Sequence, residues 1–374
     1  MSEWYFSRYA SGLLIIIVSF NSLGASAEPD CDESAKTIQK QIYNGGYHYR
    51  NRYETIVENI SIKCSGIQLP LPPRIAQYSC DRCPRLLEIS SSNISVVPST
   101  AFSNFPFITS LRMERNHIEE LLPGAFNTLH SLKEVFLRGN NIEELSPGVF
   151  NSLSELEILD LSENNLKTLG ANCLAGTIHL KSLNLSSNFL VTFNESILDQ
   201  NIAEIEYIDL SFNRITDISI GNIEHKIINI DLSSNRISTM NFCISELVSV
   251  NVSRNLLKSL GKISCSNTNS RLISLDMSFN NISELFSDSF INSTQLKILN
   301  FQHNNISSLP IGLFSHLSNL EDLNLANNSL EQFYHGILEG LEKLRILDIS
   351  NNKFITIKRY FALSCEFKRI VYST

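Results

Sequence analysis

The stretch LEILDLSENNLKTL, residues 156–169, carries leucine at its first, fourth, sixth, eleventh and fourteenth positions and asparagine at its ninth. The stretch LKEVFLRGNNIEEL, residues 132–145, has the same frame 24 residues earlier. The asparagine recurs along the chain at intervals of 20 to 25 residues, most often 24. A phase that persists over most of a chain indicates stacked structural repeats.

The recurring asparagine, which we call the ladder asparagine, follows two apolar residues that alternate with polar ones. This alternation predicts a short strand with one buried side in every repeat. Because a buried amide must be hydrogen-bonded, we expect the ladder to bond backbone groups of neighbouring repeats. Its members are Asn116, Asn140, Asn164, Asn188, Asn213, Asn235, Asn255, Asn280, Asn304, Asn328 and Asn352, with Ser92 at the equivalent position of an earlier, degenerate repeat.

These repeats predict an α/β repeat solenoid with a parallel sheet on its concave side and irregular or short-helical segments on its convex side. Phenylalanines ten residues after five of the ladder positions should stack inside it, namely Phe102, Phe126, Phe150, Phe290 and Phe314. The predicted organisation is a signal peptide at 1–27, an N-terminal cap at 28–84, about twelve repeats at 85–357 and a short C-terminal tail at 358–374.

The N-terminus has the features of a secretory signal peptide. Arg8 precedes the apolar run at residues 12–20, and Ala25-Ser26-Ala27 resembles a cleavage site. The alternative is a membrane anchor, but the run is less than half of the ~20 residues that span a bilayer. We therefore expect a secreted, extracellular protein.

Composition and motifs argue against several functions. The formal net charge of −8 disfavours general nucleic-acid binding, which requires basic surfaces. The histidines form no helical metal pair, and neither a nucleophile elbow nor a phosphate-binding glycine loop occurs. The aspartates that recur at one position of the repeat, such as Asp160, are interpreted as solvated consensus residues. We expect no enzymatic activity, no cofactor and no metal site.

Four cysteines precede the repeats, and in an oxidising compartment they indicate a cap with disulfides. Cys31, Cys64, Cys80 and Cys83 allow three pairings, between which the sequence does not choose. Zinc or redox chemistry at Cys80-x-x-Cys83 is the alternative, but no second ligand pair accompanies it. A further disulfide is predicted between Cys243 and Cys265, at similar positions of adjacent repeats.

Two segments of the cap region have their own patterns. The spacing of Ile38 and Ile42 predicts one helix over Asp32–Tyr43. Residues 47–53 interleave tyrosines with basic residues, which fits either a ligand-binding patch or a solvated loop.

Nine N-x-S/T sequons make the chain a candidate glycoprotein: Asn59, Asn93, Asn184, Asn194, Asn251, Asn281, Asn292, Asn305 and Asn327. Asn184 and Asn251 occupy outward strand positions, so glycans there would shield the middle of the concave face. Some sequons could instead arise from the repeat consensus and stay unmodified.

The second and third repeats lack strand sequons and carry the best candidates for ligand binding on the concave face. Phe136 stands where other repeats have Asp or Asn, and the bases around it would attract an acidic partner. The alternative is an ordinary solvated face. The candidate residues are Arg112, Glu114, Arg115, Lys133, Phe136 and Arg138, with Tyr207 and Phe212 as a second, weaker pair.

The Leu-Asp-Leu-Ser-x-Asn core, as in Leu159–Asn164, resembles that of the extracellular leucine-rich-repeat superfamily. This superfamily includes Toll-type receptor ectodomains, adhesion proteins and secreted immune proteins of insects. The resemblance implies a horseshoe that binds an extracellular protein or microbial ligand, in innate immunity or in cell adhesion and signalling, as a monomer or an oligomer. An extracellular matrix scaffold and a truncated transmembrane receptor are the alternatives.

The signal-peptide prediction can be tested on secreted protein. Because Ala25 and Ala27 form the small-residue cleavage site, mass spectrometry of culture medium should find a mature N-terminus near Glu28. Recovery of the intact N-terminus in a membrane fraction would instead support the anchor.

Overall fold

The computed structural model describes residues 30–42, 52–65, 85–90, 92–103, 105–170, 172–194, 197–198, 205–220, 227–240, 247–260, 270–332, 334, 336–354 and 369–371. The chain divides into two compact units. The N-terminal unit comprises Met1–Asp160 and Cys173–Ile178, and the C-terminal unit comprises Leu161–Asn172 and His179–Thr374.

The N-terminal unit is built on a sheet that runs in the order β1-β2-β3-β5-β7-β8. Its strands are β1 (Asp30–Ile42), β2 (Arg52–Ser65), β3 (Leu86–Ser90), β4 (Val96–Val97), β5 (Ser110–Arg112), β6 (Glu120–Leu121), β7 (Glu134–Phe136) and β8 (Ile158–Asp160). From β2 onward every neighbour is parallel, and β4 and β6 form a separate parallel pair. Equivalent residues of successive repeats lie side by side, such as Val135 and Leu159.

The helix predicted over Asp32–Tyr43 is wrong, because this segment forms β1, which pairs antiparallel with β2. In the register of this hairpin Lys36 lies opposite Glu58 and Ile38 lies opposite Ile56. Pairing with a distant segment therefore overrides the local spacing of the isoleucines. The sequon Asn59 lies at a register shift and has no residue opposite it.

The C-terminal unit contains a parallel sheet in the order β9-β11-β13-β14-β16-β18-β19-β20-β21. Its strands are β9 (Ser182–Asn184), β10 (Thr192–Asn194), β11 (Tyr207–Asp209), β12 (Asp217–Ser219), β13 (Asn229–Asp231), β14 (Ser249–Asn251), β15 (Ser259–Leu260), β16 (Ser274–Asp276), β17 (Glu284–Leu285), β18 (Ile298–Asn300), β19 (Asp322–Asn324), β20 (Ile346–Asp348) and β21 (Arg369–Val371). β10 pairs with β12 and β15 with β17. Within the predicted tail, β21 thus adds a strand after the last full repeat.

The predicted parallel solenoid is confirmed. In the described part of the chain, turns and two- or three-residue strands connect the main strands, and no α-helix occurs. The core consists of the inward leucines and isoleucines together with stacked phenylalanines. The centroids of Phe102 and Phe126 are 6.0 Å apart, and those of Phe126 and Phe150 are 5.6 Å apart. In the C-terminal unit Phe290 and Phe314 lie 6.4 Å apart.

The ladder asparagines join each repeat to its neighbours through backbone hydrogen bonds. The Oδ1 atom of Asn140 accepts from the N–H groups of Asn116 and Ile118, at 2.9 and 3.0 Å. Its Nδ2 atom donates to the carbonyls of Met113 and Leu137, at 2.9 and 2.8 Å. One buried amide therefore satisfies four backbone groups in two repeats.

Replacing Asn140 should destabilise the N-terminal unit without changing its surface. Asn140→Leu leaves buried backbone donors and acceptors without partners, so we expect a loss of roughly 3 kcal/mol in the free energy of unfolding. Urea unfolding followed by circular dichroism measures the loss. Asn141→Leu is the matched control, because the Asn141 side chain is half-buried and has no ladder bonds. Equal stability of the two variants would contradict the prediction.

The backbone register of the hairpin favours one of the three disulfide pairings that the sequence leaves open. Cys31 lies directly opposite Cys64, and opposed residues of antiparallel strands have Cα atoms about 4.5–5.5 Å apart. This separation falls within the range of about 4.4–6.8 Å that a disulfide spans. We expect unreduced peptide mapping to link Cys31 to Cys64. A link from Cys31 to Cys80 or Cys83, which lie outside the described residues, would contradict this pairing.

Candidate functional site

The outward residues of the strands form a surface that we call the strand face. In the C-terminal unit, its central position carries Asp or Asn in every repeat from β9 to β20. The Oδ1 atom of each of these side chains accepts a hydrogen bond from the backbone N–H group two residues further on, with N–Oδ1 distances of 2.8–3.0 Å. The residues are Asn184, Asp209, Asp231, Asn251, Asp276, Asn300, Asn324 and Asp348. These aspartates are half-buried and cap the backbone, which gives the consensus residue a structural role.

The residue before each ladder asparagine has a left-handed backbone. Arg115, Glu163 and Phe212, for example, have φ of 55°, 54° and 54°. This conformation costs a residue other than glycine roughly 1 kcal/mol. In return, the Arg115 N–H donates to the Arg138 carbonyl and the Phe212 N–H to the Ser233 carbonyl, at 2.9 Å each. The left-handed backbone therefore allows a backbone hydrogen bond between neighbouring repeats.

The N-terminal unit departs from this pattern where the sequence placed the candidate site. Glu88, Arg112 and Phe136 occupy the central strand-face position of β3, β5 and β7 and lie side by side in register. Neither arginine nor phenylalanine accepts a hydrogen bond, so Arg112 and Phe136 cannot supply the cap. Both are half-buried. These side chains are therefore available for other contacts.

Arg112 and Phe136 form a stacked pair. The guanidinium carbon of Arg112 lies 4.7 Å from the centroid of the Phe136 ring, which is a cation–π distance. The Arg112 Nε atom is buried and has no hydrogen-bond partner in the described part of the chain. An arginine positioned by an aromatic ring presents its remaining donors in a fixed plane.

A cleft of about 310 Å³ opens beside this pair. Three arginines and two glutamates contribute to its walls, which gives the lining a net positive charge. The lining residues are Glu88, Ile89, Ser90, Arg112, Glu114, Arg115 and Arg138. The structure thus brings together most of the residues that the sequence singled out.

Lys133 is the exception among the predicted bases. Its Nζ atom forms an ion pair with Glu157 Oε1 at 3.0 Å, and it does not line the cleft. The sequence could not show this pair, because the partners are 24 residues apart and meet only when two repeats stack.

The second candidate pair lies in the C-terminal unit. Tyr207 is on the strand face, and burial, followed by the charges of Asp209 and Asp231, raises its pKa to about 12. Phe212 is 62% exposed. Sequence reasoning missed another group in this unit, where Phe279 stacks between Arg254 and His303, 4.3 Å from each. The sequence did contain a signal for this group, because Arg254, Phe279 and His303 have flat side-chain groups and all occupy the position before a ladder asparagine.

The predicted modification sites fall in several environments. Asn93, Asn194, Asn281 and Asn305 are exposed, whereas Asn184, Asn251, Asn292 and Asn327 are half-buried. Asn251 also donates from Nδ2 to Asp231 at 3.0 Å. The predicted Cys243–Cys265 disulfide and the segment at 47–51 lie outside the described residues.

Reactive groups are few in the described residues. Cys173 is buried and unpaired, and burial raises the pKa of its thiol to about 11. Within those residues no group of three histidine, cysteine or acidic side chains is arranged to hold a metal ion. Likewise, no helix found there has the length and apolar character needed to cross a membrane.

Comparison with known proteins agrees with the repeat geometry. A family model described as leucine-rich repeat matches residues 85–142, 130–190 and 294–354, and a second such model matches residues 271–293. Together with the asparagine ladder and the parallel strands, these matches show that the chain belongs to the leucine-rich-repeat proteins. No curated protein matches the chain significantly in sequence.

Solved structures share the fold at low identity. The leucine-rich-repeat domain of APL1B is 24% identical with a TM-score of 0.61, over 77% of this chain and 79% of that one. An internalin of Listeria monocytogenes is 20% identical with a TM-score of 0.58, over 84% and 87%. A leucine-rich-repeat protein of Leptospira interrogans is 21% identical with a TM-score of 0.54, over 77% of each chain. Such distant similarity establishes the fold alone.

Proposed function

We propose that the chain is a secreted recognition module, not an enzyme, and that it binds an anionic group of a protein or microbial ligand in the cleft of the N-terminal unit. A leucine-rich-repeat solenoid is a protein-interaction module that presents an extended surface to partners. Secretion is supported by the signal-peptide pattern and the sequons. A role in innate immunity or in cell adhesion and signalling follows from the resemblance to the extracellular superfamily.

The observation that carries this proposal is the Arg112–Phe136 pair. Eight repeats of the C-terminal unit use the same position to cap their own backbone, whereas here the cap is replaced by a stacked arginine and a ring. The replacement gives up a hydrogen bond in each repeat and leaves the Arg112 Nε atom without a partner. Such a cost to the fold is typical of a functional surface.

The chemistry of the cleft favours a carboxylate, phosphate or sulfate. Guanidinium groups bind planar oxyanions with two parallel hydrogen bonds, and Arg112 is already oriented by Phe136. Arg115 and Arg138 add positive charge around Arg112. Glu88 and Glu114 would repel an anion that is not aligned with the arginines. A short acidic segment or a negatively charged glycolipid headgroup would suit this arrangement.

The proposal can be tested with two anionic probes, an oligoglutamate peptide and lipoteichoic acid, immobilised for biolayer interferometry. The wild-type protein should bind at least one of them. The double variant Phe136→Ala/Arg138→Glu should bind it at least about tenfold more weakly, because it loses the stacking partner and reverses a charge at the cleft. The probe that is bound distinguishes a carboxylate ligand from a phosphate ligand.

The matched control is Phe286→Ala/Arg236→Glu, which makes the same substitutions at exposed positions of the C-terminal unit. This control should bind like the wild type and should be secreted equally well. Failure of the wild type to bind either probe, or an equal loss in the control, would contradict the proposal.

A further inference from the structure

The strand face of the C-terminal unit carries a second group of residues that the fold does not use. Ile298, Asp322 and Ile346 begin β18, β19 and β20 and lie side by side in register. The isoleucines are 47% and 38% exposed, and Asp322 is half-buried between them. A carboxylate flanked by two exposed aliphatic side chains is unusual on a surface whose other repeats mostly begin their strands with small polar residues.

The Asp322 side chain differs from those of the capping aspartates because it has no hydrogen-bond partner among the described residues, although its backbone N–H donates to the Lys297 carbonyl at 3.0 Å. The neighbouring bases are already paired: Glu321 Oε1 lies 3.6 Å from Lys297 Nζ, and Glu321 Oε2 lies 2.9 Å from Arg345 Nη1. The adjacent glutamate therefore takes both cations, and the Asp322 carboxylate keeps an uncompensated charge.

This charge is unfavourable for the folded protein. Burial, followed by the charge of Asp348, raises the pKa of the Asp322 carboxyl above its usual value. When the pKa of an acid is higher in the folded state than in the unfolded state, the protonated acid favours the folded state. That stabilisation is present at acid pH and is lost as the pH rises through the folded-state pKa. At neutral pH the ionised carboxylate thus opposes folding, and a cation from outside would relieve it.

The outward strand positions of this unit carry charge of the same sign as Asp322, although the paired bases Lys297 and Arg345 stand next to the isoleucines in the sequence. In each repeat from β9 to β20, we consider the residue before, the residue between and the residue after the two buried apolar side chains of the strand. These positions carry Asp209, Asp231, Asp276, Asp322 and Asp348, and no lysine or arginine. The strand face of this unit therefore attracts cations, unlike the arginine-lined cleft of the N-terminal unit.

We propose that Ile298, Asp322 and Ile346 form a docking site for a protein segment that presents one arginine or lysine between apolar side chains. The cation pairs with the Asp322 carboxylate, and the apolar residues pack on the two isoleucines. This combination of a desolvated charge pair with aliphatic contacts on both sides has the composition of an interface hot spot. The site is separate from the anion-binding cleft and is selective for the opposite charge.

The test uses a phage-displayed library of random dodecapeptides, selected on the full secreted protein. The enriched peptides should contain arginine or lysine flanked by aliphatic residues, and synthetic copies should bind Asp322→Asn at least about tenfold more weakly than wild type. Ile298→Ser/Ile346→Ser should weaken the same peptides.

Asp276→Asn is the matched control, because it removes one negative charge from the same face at a capping position where other repeats have asparagine. It should bind the peptides like the wild type. Thermal unfolding should show no loss of stability in Asp322→Asn, since the substitution removes an unfavourable charge. This control separates lost binding from misfolding.

Three outcomes would overturn the proposal: no peptide is enriched, the enriched peptides lack a basic residue, or Asp276→Asn weakens binding as much as Asp322→Asn. The N-terminal cleft is tested with different probes, so failure at one site can be distinguished from failure at the other.

Discussion

The buried amide of the ladder asparagine is the interaction on which the rest of the structure depends. Strands of three residues cannot form a stable sheet by themselves, and each repeat leaves polar backbone groups facing its neighbour. The Asn140 amide satisfies groups in its own repeat and in the preceding one with four hydrogen bonds. Because the same residue recurs at the same phase, the backbone is satisfied along each unit and the leucines can pack without a penalty.

This bonding also imposes a cost that is repeated along the chain. The residue before each ladder asparagine adopts a left-handed backbone, even where it is Glu163 or Phe279. The strained residue can then donate its N–H group to the next repeat, and its side chain is placed at the edge of the strand face. The stack of Arg254, Phe279 and His303 is a consequence of this placement, since neighbouring repeats bring planar groups to within 4.3 Å.

Departures from the repeated pattern identify the surfaces that the fold does not require. Where aspartate or asparagine caps the backbone, the outward position has a structural role. Arg112 and Phe136 cannot act as caps, and Asp322 lies at a different strand position where no cap is formed. Arg112 lines a positively charged cleft and is stacked on Phe136, whereas Asp322 lies on an acidic surface between isoleucines. A repeat protein thus shows its candidate binding residues as exceptions to its own consensus.

The sequence by itself determined the period, the parallel strands, the buried leucines and the position of the ladder, because these follow from spacing within one repeat and from the rule that buried amides are hydrogen-bonded. It also located most of the cleft residues, since Phe136 departs visibly from the consensus.

Only the tertiary structure decided what depends on contacts between distant residues. Asp30–Ile42 became a strand because Arg52–Ser65 offered a partner, although its isoleucine spacing suggested a helix. Lys133 forms an ion pair with Glu157 of the next repeat and does not line the cleft. Asp322 kept its charge because Glu321 had taken both neighbouring cations. In each case the contact joins segments that are separated in sequence, such as Glu321 and its partners Lys297 and Arg345, and that meet only when the chain is folded.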